Sequence, residues 1–188
     1  SHQSMMVLYP SGHRDQLDVA LRRAVLTGVN QTAGRLTERR ADEMGADLVQ
    51  VSAHIGARNT GSGPANHEGW QGQVYSRSGQ DKQYPDFVER TGYGTGAGLA
   101  GWNCRHSFFP FFEGISAEHY QKAELQGYAN QRVTYNGEEL SVYEATQKQR
   151  AIERRIRRAK REAGAMEAAG LDTTAERRRI RRYQADMR

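Results

Sequence analysis

The sequence predicts an α+β protein: an N-terminal helix packed on a small, mostly antiparallel sheet with long Gly-rich loops, followed by basic C-terminal helices. A helical pattern of apolar residues covers 15–45, short β-branched and aromatic runs alternate with glycines over 47–112, and Arg-rich helical patterns end the chain. Apolar residues at helical spacing favour helices, whereas β-branched and aromatic runs favour strands. We expect 1–14 to be a cloning remnant or disordered start, 15–140 to form the α+β domain, and 141–188 to form basic helices packed on that domain or extending from it.

Length and composition exclude two classes of protein. The chain has 188 residues, 37% of them hydrophobic, and one cysteine. This length suits about one domain that buries roughly 70% of its unfolded surface. No apolar run approaches the ~20 residues that a membrane helix needs, so a transmembrane protein is excluded and no membrane partner is expected. A lone cysteine cannot form an intrachain disulfide, which excludes a disulfide-stabilised secreted scaffold.

The first predicted helix spans about 15–45 and is followed by a strand. At about 100° per residue, one apolar arc of about 100° predicts the helix. The segment 47–54 then alternates with period two and is rich in β-branched residues, which predicts a strand. The residues in the apolar arc of the helix are Leu17, Leu21, Ala24, Val25, Gly28 and Thr32.

Glycine dominates the next segment. Eleven of the 20 glycines lie within 56–101, a density that predicts loops around short elements rather than packed helix. We expect a short strand at 73–76 and one helical turn at 86–90. The most aromatic stretch, 102–112, predicts a buried strand that ends near Pro110.

Local signals mark the elements of the last third of the chain. Residues 116–129 have a helical pattern, and Asn136-Gly137 within 133–140 is a strong signal for a β-hairpin. Ser141 and Glu144 match a capping box that begins a long helix to about 169, which Gly170 can end. Thr173 with Glu176 predicts a second capping box for a last helix.

Positive charge is concentrated in the C-terminal helices. Residues 148–188 carry 14 basic and six acidic residues, a net charge of +8, whereas the preceding 147 residues have a net charge of −3. On a helical projection, an apolar stripe around Ile152 faces away from an arginine face. That stripe comprises Ile152, Ile156, Ala159, Ala163 and Met166.

Three interpretations of the arginine face stay open: a solvated helix surface, a phosphate-binding surface, and a surface for an acidic protein. Clustered arginines gain affinity for nucleic acid by releasing counterions. Stacking aromatic residues do not alternate with these arginines, so any nucleic-acid contact should be independent of base sequence. The residues predicted to contact polyanions are Arg150, Arg154, Arg157, Arg158, Arg161, Arg178 and Arg182.

The Gly-rich half holds the candidates for an active site. His54, His67, Tyr75 and Arg105 lie on or beside predicted strands and could serve an RNase-like or ADP-ribosyl-transferring enzyme, or they could tie loops to strand edges. A metal site could also be drawn from four residues, but Cys104-x-His106 is not a usual zinc spacing and no CxxC or HExxH occurs. These four residues are His54, His67, Cys104 and His106. We therefore expect no metal and no cofactor. The glycines of 91–98 lack the Lys-Ser/Thr of a phosphate-binding loop.

Several motifs together resemble the phage minor capsid protein 2 family, whose members are related in role to the Mu F-like head morphogenesis proteins. They are VSAHIGAR (51–58), HEGWQGQVYSRSG (67–79), TGYGTGAGL (91–99), GWNCRHSFFPFFEGIS (101–116) and the basic helical segment YNGEELSVYEATQKQRAIERRIRRAKRE (135–162). The sequence departs from the family pattern in two places. The segment between Arg58 and His67 is longer, and Ala100 stands where relatives often have cysteine. The motif residues are His54, Arg58, His67, Trp70, Asn103, Cys104, Arg105 and His106.

This resemblance implies a structural minor protein of a tailed-phage head rather than an established enzyme. It implies a C-terminal domain inside the virion near the portal, made in the host cytoplasm during assembly. The implied partners are portal and capsid proteins, with packaged DNA contacted without sequence specificity. Some Mu F-like proteins carry toxin nuclease or transferase domains, so a toxin-like enzyme is the alternative.

Overall fold

The structure, a computed structural model, describes residues 5–187. Their contacts divide the described residues into two compact units, a larger one that ends at Gln131 and a smaller one that begins at Arg132. Helices and small antiparallel sheets make up both units, which confirms the α+β class. Among the residues that the structure describes, none of the helices combines the length and apolar character needed to cross a bilayer.

The larger unit begins with a hairpin of two strands, β1 (Met6–Leu8) and β2 (Arg14–Gln16), paired antiparallel. This hairpin falls largely within 1–14, which we expected to be a cloning remnant or disordered start; residues 1–4 lie outside the described part. An ion pair between Arg23 and Asp15 ties β2 to the following helix, and Arg23 also donates to the hydroxyl of Tyr9 at 2.9 Å. These contacts reach residues that lie far apart in sequence, so no local pattern signalled them.

Helix α1 (Leu17–Glu43) confirms the predicted first helix, but it packs through a different face. The buried residues are Ala20, Gly34 and Ala41, which are 14 and seven positions apart and so lie on one side of the helix. In the predicted apolar arc, Leu21 is 60% exposed and Val25 is 54% exposed. Small side chains let the helix backbone approach the domain closely, and this outweighs the burial of the larger residues.

The central sheet has the order β4-β3-β5 and is antiparallel throughout. Strand β3 (Leu48–Val51) is buried along its whole length between β4 (Val74–Ser76) and β5 (Phe108–Pro110). All three strands lie inside the predicted segments. The main core on this sheet consists of Val49, Val51, Trp70, Tyr75, Phe87, Leu99, Cys104 and Phe108.

Strand β5 is much shorter than the predicted strand over 102–112. Asn103 has φ +56° and Ala100 has φ +58°, backbone conformations that do not continue a strand. The chain therefore turns before β5, and this turn places Cys104 and His106 beside the sheet. The aromatic residues of this segment correctly predict that it is buried, but a buried segment can have an irregular backbone as well as a strand.

Two short helices complete the larger unit. Helix α2 (Phe87–Thr91) confirms the predicted helical turn, and the Oδ1 of Asp86 caps it by accepting from the N–H of Glu89 at 2.7 Å. Helix α3 (Lys122–Asn130) begins six residues after the predicted start at Ser116. The hydroxyl of Ser116 accepts from the N–H of Phe112 at 2.9 Å, so this serine closes a preceding turn instead of starting a helix.

The smaller unit begins with the predicted hairpin, β6 (Arg132–Tyr135) and β7 (Glu138–Ser141). Asn136 and Gly137 have φ +52° and +78°, as the hairpin turn requires. Helix α4 (Val142–Ala168) follows and packs against this hairpin and against α5 (Thr174–Ala185). The hairpin thus groups with the basic helices, and the second unit begins before the expected boundary at 141.

The two predicted capping boxes have different outcomes. At Ser141 the box is formed, with the N–H of Glu144 donating to the serine hydroxyl and the glutamate accepting from the N–H of Ser141. At Thr173 the prediction is wrong, because the threonine side chain makes no cap hydrogen bond. Asp172 accepts the N–H of Thr174 at 3.0 Å, and Glu176 is buried instead of turning back to the helix start.

Candidate functional site

Three buried side chains with metal-binding atoms converge in the larger unit. His67, Cys104 and His106 are 3–4% exposed, and one ligand atom from each lies within 4.8 Å of the other two. The sulfur of Cys104 and the Nδ1 of His106 are 3.6 Å apart. We call these three residues the His-Cys cluster.

Backbone geometry explains how two cluster residues from one segment reach the same place. Cys104 and His106 are two positions apart in the segment just before β5, and alternate residues of extended chain face the same side. Arg105, between them, is exposed. The N–H of His106 donates to the Cys104 sulfur at 3.4 Å, which holds this short segment in place.

His67 reaches the cluster from a 3-10 turn, His67–Gly69. The side chain of Asn66 caps this turn by accepting from the N–H of Gly69 at 3.3 Å. The Nε2 of His67 lies 2.8 Å from the carbonyl oxygen of Ala97. Because a carbonyl only accepts, Nε2 carries the proton and Nδ1 keeps a free lone pair.

Gln71 orients the cluster, and the sequence did not single it out. Its Oε1 accepts from the N–H of His54 at 3.0 Å and lies 3.1 Å from the Nε2 of His106. The half-buried ring of His54 stacks on that of His106 with centroids 4.4 Å apart. A buried glutamine among other polar residues gives no sequence signal of its own, so only the fold reveals this role.

Burial sets the protonation states of the cluster. It lowers the pKa of His106 to about 3, and the neighbouring His54 and His67 act in the same direction. Burial also lowers the pKa of His67, although the hydrogen bond to Ala97 opposes it. The pKa of the Cys104 thiol is raised by burial, while backbone N–H groups of His106 and Ala100 oppose the rise. At neutral pH the three side chains of the cluster are therefore uncharged.

Two other motif residues support the loops around the cluster. Trp70 is buried, its ring lies 4.6 Å from that of His67 and 4.8 Å from that of His106, and its indole N–H donates to the Pro64 carbonyl. Arg58 donates to the carbonyl oxygens of Ala97 and Trp102 at 3.4 and 3.2 Å. The side chain of Asn103 is exposed, and its positive φ makes it a turn position.

The structure brings together only part of the candidate catalytic set. His54 and His67 both contact the ring of His106: the ring of His54 stacks on it, and the ring of His67 meets it edge to face. Tyr75 is fully buried in the core and donates its hydroxyl to the carbonyl of Trp70 at 2.7 Å, and burial raises its pKa. Arg105 is exposed and forms no ion pair among residues 5–187.

A pocket of about 330 Å³ lies next to Trp70. Asn66, Glu89 and Arg90 line it together with two glycines, whereas the His-Cys cluster does not. The side chains of the cluster are 3–4% exposed, so the site is closed, and a thiol with a raised pKa in a closed site is a poor nucleophile. This geometry suits binding within the fold better than turnover of a substrate.

The predicted polyanion-binding arginines lie in the smaller unit, and most are exposed. Of the seven, only Arg150 is partly buried. Arg158 pairs with Glu162 at 2.9 Å, and Arg157 lies 3.9 Å from Glu153. Both pairs are solvent-exposed and contribute little. In the described part of the chain, Arg150, Arg154, Arg161, Arg178 and Arg182 form no ion pair with a carboxylate.

The apolar stripe of α4 is covered within the chain. Ile152, Ala159 and Ala163 are buried, and Ile156 and Met166 are partly buried. Helix α5 packs against α4 and supplies the buried Glu176, whose Oε1 accepts from Arg179 at 2.8 Å. The exposed arginines therefore lie on a pair of helices whose apolar residues pack within the chain.

Comparison with known proteins gives one family and two related phage proteins. The family model described as "Phage minor capsid protein 2" matches residues 2–188. A "Structural protein" of Lactococcus phage LL-H is 27% identical over 184 residues, which are 94% of this chain and 45% of that protein. A "Structural protein" of Lactococcus phage mv4 is 35% identical over 109 residues, 56% of this chain and 78% of that protein. The chain thus spans less than half the length of the first relative. No solved structure gives a significant match.

Proposed function

We propose that this chain, which belongs to the phage minor capsid protein 2 family, is a structural minor component of a tailed-phage head. The observation that carries the proposal is the family match over 2–188, together with two relatives described as structural proteins of phages. In this proposal the protein lies inside the head near the portal and is present in the host cytoplasm during assembly. Its partners are portal and capsid proteins.

The basic helices would supply contact with a polyanion, either packaged DNA or an acidic capsid surface. Residues 148–188 carry a net charge of +8, and five of the seven predicted arginines have no carboxylate partner in the described chain. Guanidinium groups on an exposed helix face neutralise phosphates without reading bases. The charge of the remaining chain is −3, so the attraction belongs to these helices.

The exposed apolar face of α1 supports contact with another virion protein. Leu21, Val25, Val29 and Leu36 are 54–65% exposed and lie on one side of this helix. A contiguous apolar face of this kind is typical of protein–protein contact. This face lies in the larger unit, away in sequence from the basic helices, so protein contact and polyanion contact can be tested separately.

A salt series with duplex DNA tests the polyanion contact. In one variant, Arg154, Arg161, Arg178 and Arg182 are all replaced by Gln. A matched control replaces four exposed arginines of α1, Arg22, Arg35, Arg39 and Arg40, by Gln, which changes the net charge equally. Each lost phosphate contact should reduce the slope of log K against log salt by about 0.9, so the first variant should lose roughly 3 to 4 units of slope.

The control should retain the slope of the unmodified chain. Equal losses of slope in both variants would show that net charge alone drives DNA binding, which would contradict a specific arginine surface. Absence of DNA binding at low salt would remove DNA as the partner and leave the acidic capsid surface. Protease treatment of intact and opened heads tests the location, because an interior protein is digested only after opening.

A further inference from the structure

We propose that His67, Cys104 and His106 bind one zinc ion, which fastens the turn that carries His67 to the segment before β5. The sequence predicted no metal because Cys-x-His is not a usual zinc spacing. That argument applies to ligand pairs on zinc knuckles and helices. Here Cys104 and His106 are buried and Arg105 between them is exposed, so a spacing of two puts both ligand side chains on one side.

The distance between the ligand atoms of Cys104 and His106 fits a shared ion. Zinc binds a thiolate sulfur at about 2.3 Å and an imidazole nitrogen at about 2.05 Å, in tetrahedral geometry. Two such ligands are then roughly 3.6 Å apart. The Cys104 sulfur and the Nδ1 of His106 are 3.6 Å apart. The ligand atom of His67 lies within 4.8 Å of both, so a small movement of one side chain completes the set.

Each imidazole has its second nitrogen tied to an oxygen, as metal-binding histidines usually do. The Nε2 of His67 bonds to the Ala97 carbonyl at 2.8 Å, and the Nε2 of His106 lies 3.1 Å from the Oε1 of Gln71. Gln71 presents its oxygen, because the same atom accepts from the N–H of His54. In both rings Nδ1 is therefore the nitrogen with the free lone pair.

Burial raises the pKa of the Cys104 thiol, but two backbone donors near the sulfur favour its thiolate form. The N–H of His106 donates to it at 3.4 Å, and the N–H of Ala100 also points to it. Backbone donors of this kind stabilise a negatively charged sulfur. One thiolate and two imidazoles form a donor set that suits zinc, and calcium and magnesium prefer oxygen ligands.

The stacked ring of His54 is not part of the proposed ligand set. A histidine binds a metal in the plane of its ring, and the rings of His54 and His106 are stacked with an interplanar angle of 27°. The fourth zinc position then falls to a water molecule, as in other sites with three protein ligands. The role of the ion would be to hold together loops that the small sheet alone does not connect.

Cobalt titration of the metal-free chain tests this proposal directly. Cys104 is the only cysteine of the chain, so a thiolate-to-cobalt charge-transfer band in the near ultraviolet can come from no other residue. We expect that band, with visible d–d bands of tetrahedral intensity, to saturate at one equivalent of Co²⁺, and Zn²⁺ to abolish both. A Co²⁺ titration without a charge-transfer band overturns the proposal, even if the metal binds elsewhere.

Variants and a stability measurement separate ligation from folding. Cys104→Ser and His67→Gln should lose the stoichiometric metal, whereas the control His13→Gln, at an exposed histidine, should keep it. Since a variant that unfolds also loses the metal, the unmodified chain is melted with excess Zn²⁺ and with chelator. Zinc should raise the unfolding temperature reproducibly, because it binds only the folded site. Identical melting curves with zinc and chelator would contradict a zinc site that fastens the fold.

Discussion

The hydroxyl oxygen of Tyr93 lies where a side chain on Gly34 would begin: a Cβ built on Gly34 would be 2.7 Å from this oxygen. The same hydroxyl donates to the Oε2 of Glu38, one turn further along α1, at 3.0 Å. Tyr93 in turn contacts Phe87 and Phe108 of the core. This contact between a glycine and a tyrosine joins the helix to the sheet, and it explains why α1 packs through its small residues.

Gly34→Ala should therefore destabilise the protein although alanine favours helix. The propensity gain of about 1 kcal/mol is opposed by displacement of the Tyr93 ring, whose hydrogen bond to Glu38 limits its freedom. We expect a net loss of about 1 kcal/mol in the free energy of unfolding. The control Gly28→Ala, on the same helix with open space around it, should stabilise by up to about 1 kcal/mol. Urea unfolding measures both, and equal effects of the two substitutions would contradict this packing.

The Gly-rich loop between α2 and the His-Cys cluster should tolerate even less change at Gly98. A Cβ there would lie 2.2 Å from the carbonyl oxygen of Gly92 and 2.4 Å from that of Thr91, which are backbone atoms. Gly98→Ala should cost about 3 kcal/mol or more, because the loop must shift as a whole. Gly127→Ala in α3, where nothing lies within 4 Å, is the control. Thermal unfolding monitored by circular dichroism measures both variants. A Gly98→Ala protein as stable as the unmodified chain would contradict this close packing of the loop.

Asp47 provides a prediction that depends on pH. Its carboxylate accepts from the hydroxyl of Ser76 at 2.7 Å and from the N–H of Ser78 at 2.8 Å. Burial raises its pKa, but these hydrogen bonds outweigh that effect, and the pKa falls below the usual 3.8. A lowered pKa stabilises the fold above the pKa of the unfolded chain, and this stabilisation is lost as the pH falls through the folded pKa.

Asp47→Asn should thus cost about 1 kcal/mol at pH 7, a small value because the group is largely exposed. The difference between the two proteins should shrink as the pH falls below about 4, where the unfolded carboxyl becomes protonated, and through the lower folded pKa, where the folded carboxyl does too. Urea unfolding at pH 7 and at several values down to pH 3 measures this. A difference that stays constant with pH would mean that the carboxylate charge plays no part.

The two predicted caps of the smaller unit should respond differently to alanine. Ser141→Ala removes a complete capping box and should cost about 1 kcal/mol. Thr173→Ala removes a side chain that makes no cap bond and should cost only a few tenths of that. Urea unfolding followed by the helical signal in circular dichroism measures the free energy of unfolding of both variants. Equal costs would indicate that Thr173 caps α5 in solution.

Local patterns predicted those elements that depend on a few neighbouring residues. Asn136-Gly137 predicted the hairpin because two adjacent residues must adopt positive φ, and Ser141 with Glu144 predicted a helix start because the box closes over four residues. Thr173 with Glu176 has the same pattern and forms no box, because Glu176 is buried and bonded to Arg179. A local pattern therefore predicts a cap correctly only where its side chains are not engaged in tertiary contacts.

By itself, the sequence determined the α+β class, the order of most helices and strands, the family, and the concentration of positive charge in the last 41 residues. These follow from periodicity, short motifs and composition, which are properties of neighbouring residues. Only the tertiary structure decided which face of α1 is buried and that His67, 37 residues from Cys104, lies beside it. Such contacts depend on how distant segments fill space together, and close packing favoured Gly34 and Ala41 over the larger apolar residues nearby.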